Sequence, residues 1–438
     1  MRCIVIGRGV SGDAACSLAE FLHYEVLNIV DKDYPQGKFE FKADDLVVVS
    51  PGVGFRSELF KQAQRFGFEI ISELEFGFRH FSGRIGAVTG TNGKTTTTEL
   101  LLALLKGVGV PAVAAGNIGL PLSSVAFDQL TGKLAKNLCA AVEVSSFQLE
   151  HCCTFAPTAA GILNIQSDHI DRYPGGLAEY AQVKWRIFDC VSLPQNRLYG
   201  SSMKIGQSVN LFSFQDDKFY FLGKAFLNYS ECRLRGAHNV ENILMALELL
   251  VRLVAVEDKL DAVAGVIRNF VSGEHRMEVV ARRNGITYVN DSKATNPAAV
   301  LAALDGFGDP KKCNIRLILG GLDKDMDFEV LKLYRGMIKE IYIYGRCAGK
   351  LAECFKGVLP GRSYESFDLA VLQAKNDANG GDVVMMSPGC ASMDCFKNYE
   401  ERGKRFRQGI IPSQNSKSAK KHRTRQNERQ HLFQKNPS

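Results

Sequence analysis

GAVTGTNGKTTTTELLLALL, Gly86 to Leu105, carries the reading of this chain. The apolar residues that lead into it predict a buried strand, the run Thr89-Gly90-Thr91-Asn92-Gly93 a glycine-rich turn, and the residues from Lys94 an amphipathic helix. A glycine turn that opens a helix presents backbone N–H groups, and the helix dipole adds to their attraction for phosphate. Lys94 is placed to reach the β- and γ-phosphates of a nucleotide, and the Thr95 hydroxyl to ligand Mg²⁺. The strict GxxxxGK[ST] spacing is not met, because its first glycine position falls on Val88. The alternative is an ordinary turn followed by a chance Lys-Thr, but strand, turn and helix in this order favour nucleotide binding.

Working outward, 438 residues lead us to expect two or three domains. A hydrophobic content of 45% with 23% charge is that of a soluble globular protein, and no apolar run reaches the ~20 residues of a membrane span. The opening MRCIVIGRG goes straight into a strand with no signal peptide, so we expect a cytoplasmic protein without membrane insertion. The twelve cysteines form no metal spacing and are expected to be buried small residues or free thiols. The net charge of +7 is concentrated at one end: seven Lys/Arg and one Glu from Ile411 to Ser438 leave the other 410 residues at +1. That basic tail, 411–438, is expected to be disordered, and a solvated extension is favoured over a surface for anionic lipid or nucleic acid.

The rest of the chain reads as α/β. CIVIG, then Gly7-Arg8-Gly9-Val10-Ser11-Gly12, a helix from Asp13 to Leu22, and EVLNIVD ending at Asp31 make a βαβ unit with a G-x-G-x-x-G turn. Asp31 lies 19 residues after Gly12, which suits a hydroxyl-binding carboxylate; glycines needed only for packing are the alternative. DLVVVSPGVG adds a strand and loop, and Ser82-Gly83 looks like a linker. After the phosphate loop, PAVAAGNIGLPL, LCAAVEVSSFQLE ending on Glu143, and TAAGILNIQSDHIDRY ending on Asp168-His169 read as further strands. Short alternating runs between 195 and 235 predict a small antiparallel sheet, and GAHNVENILMALELL a helix. Ser272-Gly273 is a second boundary, and ITYVNDS, RLILGG, EIYIYG and DVVMMSPG are the strands of a third, parallel segment.

Magnesium requires hard oxygen donors near the terminal phosphate, and Glu143 at its strand end is the natural choice. His169 is open to a second cation, a substrate contact or a structural role. Lys184, in a helical stretch beside Trp185-Arg186, reads from the residues alone as a surface lysine.

Taken together, TGTNGKTTT, EVSSFQLE, SDHIDRY, GAHNVENILMA, GEHRMEVV, NDSKATNP and SPGCASMD, in that order, resemble the ATP-dependent Mur ligases of peptidoglycan synthesis over residues 1 to about 410. NDSKATNP, LGGLDKDMDF and SPGCASMDCFKNYEERG most resemble the member that adds D-glutamate to UDP-N-acetylmuramoyl-L-alanine. The resemblance implies three domains. These are a Rossmann-like UDP-sugar domain over 1–82, a central P-loop ATPase-like domain over 83–272 and a Rossmann-like C-terminal domain over 273–410. It implies that Gly90, Thr91, Asn92, Gly93, Lys94, Thr95 and Thr96 hold ATP, with Asn239, Asn242, Arg276 and Asp291 as further nucleotide contacts. Thr95, Glu143, His169 and Lys184 would serve one or two Mg²⁺, Lys184 as a carbamylated lysine, which reverses the surface reading. Lys94, His169, Lys184 and Lys324 would be catalytic. Lys293, Thr295, Lys324, Ser392 and Tyr399 would take D-glutamate, and Gly9, Val10, Ser11, Asp31 and Asn117 the UDP-sugar. Tyr399 departs from the Phe of the family's glutamate site; a phenol keeps the ring and adds a hydroxyl.

The implied protein is a monomeric ligase that requires no nucleic acid. Another Mur ligase or a folylpolyglutamate synthase would share the phosphate loop, and the SKATN string favours D-glutamate. An NAD-dependent oxidoreductase, resting on GRGVSG and Asp31, leaves the phosphate loop unexplained. A nucleic-acid-binding module would rest on the tail alone.

Overall fold

The structure is a computed structural model that describes residues 1–34, 39–53, 57–169, 172–203, 210–234, 236–271, 273–307 and 311–411. Residues 412–438 of the basic tail, Gly54, Asp171 and the boundary residue Ser272 lie outside the described residues. The chain forms two compact units, Met1–Gly273 and Glu274–Ser438.

The first unit begins with four parallel strands, β1 (Arg2–Ile6), β2 (Glu25–Ile29), β3 (Leu46–Val49) and β4 (Glu69–Ser72), in the order β2-β1-β3-β4. Their near-continuous apolar runs are what a sheet buried on both faces demands. One face packs Val5, Leu18 and Phe76, the other Ile4, Val49 and Phe60. Gly12 is required here, because a Cβ on it would sit 2.1 Å from the Gly7 carbonyl oxygen.

A second parallel sheet contains β5 (Arg84–Thr89), β6 (Ala112–Gly116), β7 (Cys139–Glu143), β8 (Ala159–Ile162) and β9 (Arg197–Tyr199), in the order β6-β7-β5-β8-β9. The helix Lys94–Gly107 covers one face with Leu100, Leu101 and Leu104; Val125, Leu149 and Ile187 pack on the other. A three-stranded antiparallel sheet, β10 (Phe212–Gln215), β11 (Lys218–Phe221) and β12 (Lys224–Asn228), joins the first of these cores. The two large sheets of this unit are joined through the helix Glu73–His80. Glu73 Oε1 accepts the Ser123 N–H at 2.7 Å, and Glu75 accepts the Thr154 hydroxyl at 2.6 Å. A Cβ on Gly77 would lie 2.4 Å from the Ser123 nitrogen, so the helices cross where one has no side chain.

The second unit is one six-stranded sheet. Its strands are β13 (Glu278–Arg283), β14 (Ile286–Asn290), β15 (Ile315–Gly320), β16 (Ile338–Tyr344), β17 (Gly361–Ser363) and β18 (Val383–Met386), in the order β13-β14-β18-β15-β16-β17. All neighbours are parallel except the edge pair β13–β14. The four apolar runs read from the sequence are β14, β15, β16 and β18; the polar edge strands β13 and β17 carry no such signal.

Two local readings are corrected. The strand expected to end on Asp168-His169 stops at Ile162, and residues 163–169 form a loop. Lys184 is 1% exposed rather than a surface lysine.

Candidate functional site

The glycine turn after Thr89 leaves the sheet at the C-terminal end of β5, where open parallel sheets bind ligands. Gly90 (φ +149°) lets the chain turn against residues 163–164; a Cβ there would meet Leu163 Cβ at 3.1 Å and the Asn164 nitrogen at 3.3 Å. Gly93 caps the helix in the left-handed region (φ +87°), and a Cβ on it would fall 2.2 Å from Asn242 Oδ1. Asn242 is buried, accepts from the Thr97 hydroxyl at 3.3 Å and donates to Asn239 Oδ1 at 2.9 Å. The expected nucleotide residues of the helix Ala237–Leu253 therefore stand against the loop itself.

Thr95 and Thr96 are buried in the first turn of the loop helix. Thr95 Oγ1 donates to Glu143 Oε2 at 2.5 Å, and the other carboxylate oxygen accepts from Asn117 Nδ2 at 2.7 Å. Glu143 ends β7, paired with Val88 of β5 and Gly116 of β6, so three strand ends deliver Thr95, Glu143 and Asn117 to one place. Lys94 Nζ donates to the loop carbonyls of Gly90 and Thr91 at 2.9 and 2.8 Å.

Lys184 projects from the helix Gly176–Trp185. Its Nζ donates to the Gly90 carbonyl at 2.8 Å and to Thr89 Oγ1 at 3.4 Å, and lies 4.6 Å from the Tyr180 ring centre. Burial drives its amine well below the ordinary lysine range; the nearby Lys94 charge adds to this, and the Asp168 and Glu143 carboxylates oppose it. His169 adopts φ +55°, held by its own N–H on Asp168 Oδ1 at 2.8 Å, with its ring edge-on to Phe147. Among the described residues, no three His, Cys, Asp or Glu side chains converge as a ready metal cluster. The donors at the loop, Thr95 hydroxyl and Glu143 carboxylate, are hard oxygens, which is the donor chemistry that Mg²⁺ takes when phosphate and water complete its shell.

At the N-terminal glycine turn, Gly9 caps the helix Val10–Phe21 and a Cβ on it would touch nothing within 4 Å, while Val10 is 75% exposed. Ser11 follows on this open end. Asp31 Oδ1 accepts from Ser57 Oγ at 2.9 Å and from the Leu59 N–H at 3.1 Å, so it also caps the helix Glu58–Phe66.

In the second unit, Asp291 follows β14 and is buried; its two oxygens accept from Ser387 Oγ at 2.7 Å and the Met277 N–H at 3.1 Å. Burial pushes its carboxyl up to about 7, against the pull of those two donors and of the Arg276 and Arg402 charges. Lys293 Nζ stands 3.8 Å from the Tyr399 ring centre, with Thr295 half-buried two residues on. Arg402, fully buried, donates to the Ser292 carbonyl at 2.7 Å and the Cys390 carbonyl at 3.0 Å. It thereby ties the Lys293 and Ser392 loops to the helix Tyr399–Ile410. Lys324 lies on the loop after β15, its N–H on Asp323 Oδ1 at 2.8 Å.

The sequence reading missed Asn164, Gln166, Tyr180, Ser387 and Arg402. Asn164 and Gln166 lie in the NIQSDH string, but amides after an apolar strand look like any loop. An arginine in a charged helix looks like surface.

The chain resembles known proteins in sequence and in fold. Residues 88–210 match the Mur ligase middle domain, and residues 275–390 the Mur ligase glutamate ligase domain. The chain is 34% identical to the UDP-N-acetylmuramoylalanine–D-glutamate ligase of Acidobacterium capsulatum, across 94% of this chain and 96% of that one. It is 35% identical to the enzyme of the same name from Caldanaerobacter subterraneus, across 94% and 98%. Among solved structures, the UDP-N-acetylmuramate-alanine ligase MurC of Thermotoga maritima superposes with TM-score 0.56 at 16% identity, over 93% of this chain and 98% of that one. MurF of Thermotoga maritima in complex with ADP gives 0.55 at 17% identity, over 85% and 96%.

Proposed function

This chain belongs to the Mur ligase family, and from that premise we propose that it joins D-glutamate to UDP-N-acetylmuramoyl-L-alanine in an ATP-dependent amide synthesis of peptidoglycan precursors. The observation that carries the ATP half is the convergence of Thr95, Glu143, Lys94 and buried Lys184 around one glycine turn at the end of β5. The choice of D-glutamate rests on the curated relatives that bear that name. We assign the UDP-sugar to residues 1–82, ATP to 83–272 and the amino acid to 273–410. The cytoplasm is the proposed compartment, since ATP is drawn on there; among the described residues, no helix is long and apolar enough to cross a membrane.

A carboxylate of the UDP-linked substrate attacks the γ-phosphorus of ATP, ADP leaves, and an acyl phosphate results. The D-glutamate amine then attacks the acyl carbon and inorganic phosphate leaves, with the ammonium proton passing to solvent. Both partners of the first step are anions, so cationic neutralisation is the principal catalytic need. Loop N–H groups and Lys94 are suited to supply it, and Arg276 is a proposed γ-phosphate contact. Thr95 and Glu143 would hold Mg²⁺, which when bound neutralises phosphate charge. His169 and Lys184 would serve a second ion. A buried lysine with little water to solvate its ammonium is suited to carry a carbamate, which turns a cation into an oxygen donor. Lys293, Thr295, Lys324, Ser392 and Tyr399 are the proposed D-glutamate residues, with Lys324 matched to a carboxylate.

The test is phosphate release by the purified chain with ATP, Mg²⁺ and UDP-N-acetylmuramoyl-L-alanine. D-Glutamate is compared with L-glutamate, L-alanine, L-lysine and diaminopimelate. Release that depends on D-glutamate is expected; release with another amino acid moves the specificity, and release with none refutes the reaction.

A further inference from the structure

The phosphate loop is not held by its own glycines alone. Strands β5 and β8 run parallel, and their ladder continues beyond both strand ends: the Leu163 N–H donates to the Thr89 carbonyl at 3.0 Å and the Thr91 N–H to the Asn164 carbonyl at 2.9 Å. At Asn92 the backbone of the loop turns towards its helix, and side chains take over the pairing. Asn164 Oδ1 accepts the Asn92 N–H at 2.9 Å while Asn164 Nδ2 donates to the Asn92 carbonyl at 3.1 Å. One amide side chain thus bonds both backbone polar groups of one residue, and the pair fixes which way that stretch of backbone is turned. Gln166 completes the grip: its N–H donates to Thr91 Oγ1 at 2.9 Å, its carbonyl accepts from that hydroxyl at 3.2 Å, and its Oε1 accepts from Asn92 Nδ2 at 2.9 Å.

We propose that Asn164 and Gln166 are positioning residues for ATP, which orient the Thr91-Asn92 stretch so that the N–H groups of the residues that follow it, Gly93 to Thr95, are already aimed when the phosphates arrive. This rests on the reading of residues 90–95 as the ATP phosphate loop. The physical case is preorganisation. A loop with glycines at Gly90 and Gly93 has much backbone freedom to lose on binding, and a clamp that removes it beforehand raises affinity. Apolar packing cannot do this, because Asn92 is only partly buried and Gln166 is exposed. The clamp comes from the connection that carries His169 five residues after Asn164, so phosphate loop and His169 loop are set by one segment. It also accounts for the early end of β8: residues 164–166 are engaged by the loop rather than by a neighbouring strand.

The experiment compares Asn164→Ala, Asn164→Asp and Gln166→Ala with wild type in steady-state kinetics for ATP and for the UDP-linked substrate, together with thermal midpoints. Asn164→Ala removes two hydrogen bonds, and the KM for ATP is expected to rise roughly 10-fold or more, at about a factor of ten per 1.4 kcal/mol. The KM for the UDP-linked substrate should stay within about twofold. Asn164→Asp keeps the acceptor for the Asn92 N–H and should recover part of the loss; Gln166→Ala should raise the ATP KM by roughly threefold. An ATP KM within about twofold of wild type in the Asn164 variants, or equal losses for both substrates, would overturn the proposal. Lys94→Ala separates this failure from the underlying reading: if it too leaves the ATP KM unchanged, the loop does not bind ATP at all.

Discussion

Lys184→Met separates a functional lysine from a structural one, because the two roles predict opposite signs of stability. The Lys184 amine is 1% exposed, and its polar contacts are the Gly90 carbonyl at 2.8 Å and Thr89 Oγ1 at 3.4 Å, with the Tyr180 ring face at 4.6 Å. Burying an ammonium costs several kcal/mol, against roughly 1.5–3 kcal/mol for one charged hydrogen bond and ~1–2 kcal/mol for the ring face. Met fills a similar volume without the charge, and the Gly90 carbonyl still accepts from Lys94 Nζ at 2.9 Å. The variant should therefore be as stable as wild type or up to ~3 kcal/mol more stable near neutral pH, while turnover falls by about 10³-fold or more.

The pH dependence carries the sign. The folded-state amine lies below its unfolded value of 10.5, so between those two values the unfolded chain binds the extra proton. Wild-type stability accordingly rises with pH across that window, by up to ~1.4 kcal/mol per pH unit, and the Met variant lacks this slope. Between about pH 7.5 and about pH 9.5 the advantage of the variant should therefore shrink, read as a narrowing difference in thermal midpoint. The assay is thermal unfolding in bicarbonate-free buffer at both pH values, beside phosphate release. Near-normal turnover would refute a catalytic Lys184. A large fall in the midpoint at neutral pH would refute the claim that its burial is held for function rather than stability.

Three further outcomes are expected. Thr95→Val leaves the buried Glu143 carboxylate one hydrogen bond short, so a loss of ~1–3 kcal/mol should appear in denaturant unfolding along with loss of Mg²⁺-dependent phosphate release. Gly93→Ala forces an L side chain to φ +87° and towards Asn242 Oδ1; the strain of ~1–3 kcal/mol should weaken ATP binding, seen in steady-state kinetics as a rise in the ATP KM by roughly tenfold or more. Glu73 is fully buried, and burial raises its carboxyl to about 7 from 4.5. Its contribution is present at acid pH and is lost as pH rises from about 4.5 to about 7, by up to ~1.4 kcal/mol per pH unit. Glu73→Gln should therefore gain on wild type in thermal midpoint across that interval, and a constant difference would contradict the raised value.

How far the sequence reaches differs from residue to residue. The strand, glycine turn and helix around Lys94 were legible because the pattern is local: glycines, Lys94 and Thr95 lie within a few residues, and strand, turn and helix each have their own period. Glu143 was legible for a related reason, since an apolar run that ends on a carboxylate marks a strand end. Lys184 was misread from the residues alone, because the helix Gly176–Trp185 is short and weakly patterned. Only the elements packed around it decide that this lysine is inside. Asp31 shows the converse: its place at the end of the first βαβ unit was readable, but not that its carboxylate also caps the helix Glu58–Phe66 through Ser57 and the Leu59 N–H.

The parallel α/β class, the glycine turn between strand and helix, and the strand-end acid followed from the sequence by itself, since each depends on neighbours a few residues apart. The tertiary structure alone decided the company these groups keep. The Glu143 carboxylate is shared by Thr95 and Asn117, 48 and 26 residues away; Asn164 is clamped on Asn92 across 72 residues, and Arg402 on Ser292 across 110. Such pairings follow from the order in which strands enter a sheet, and hydrophobic periodicity records which face of a strand is buried but not which strand lies beside it.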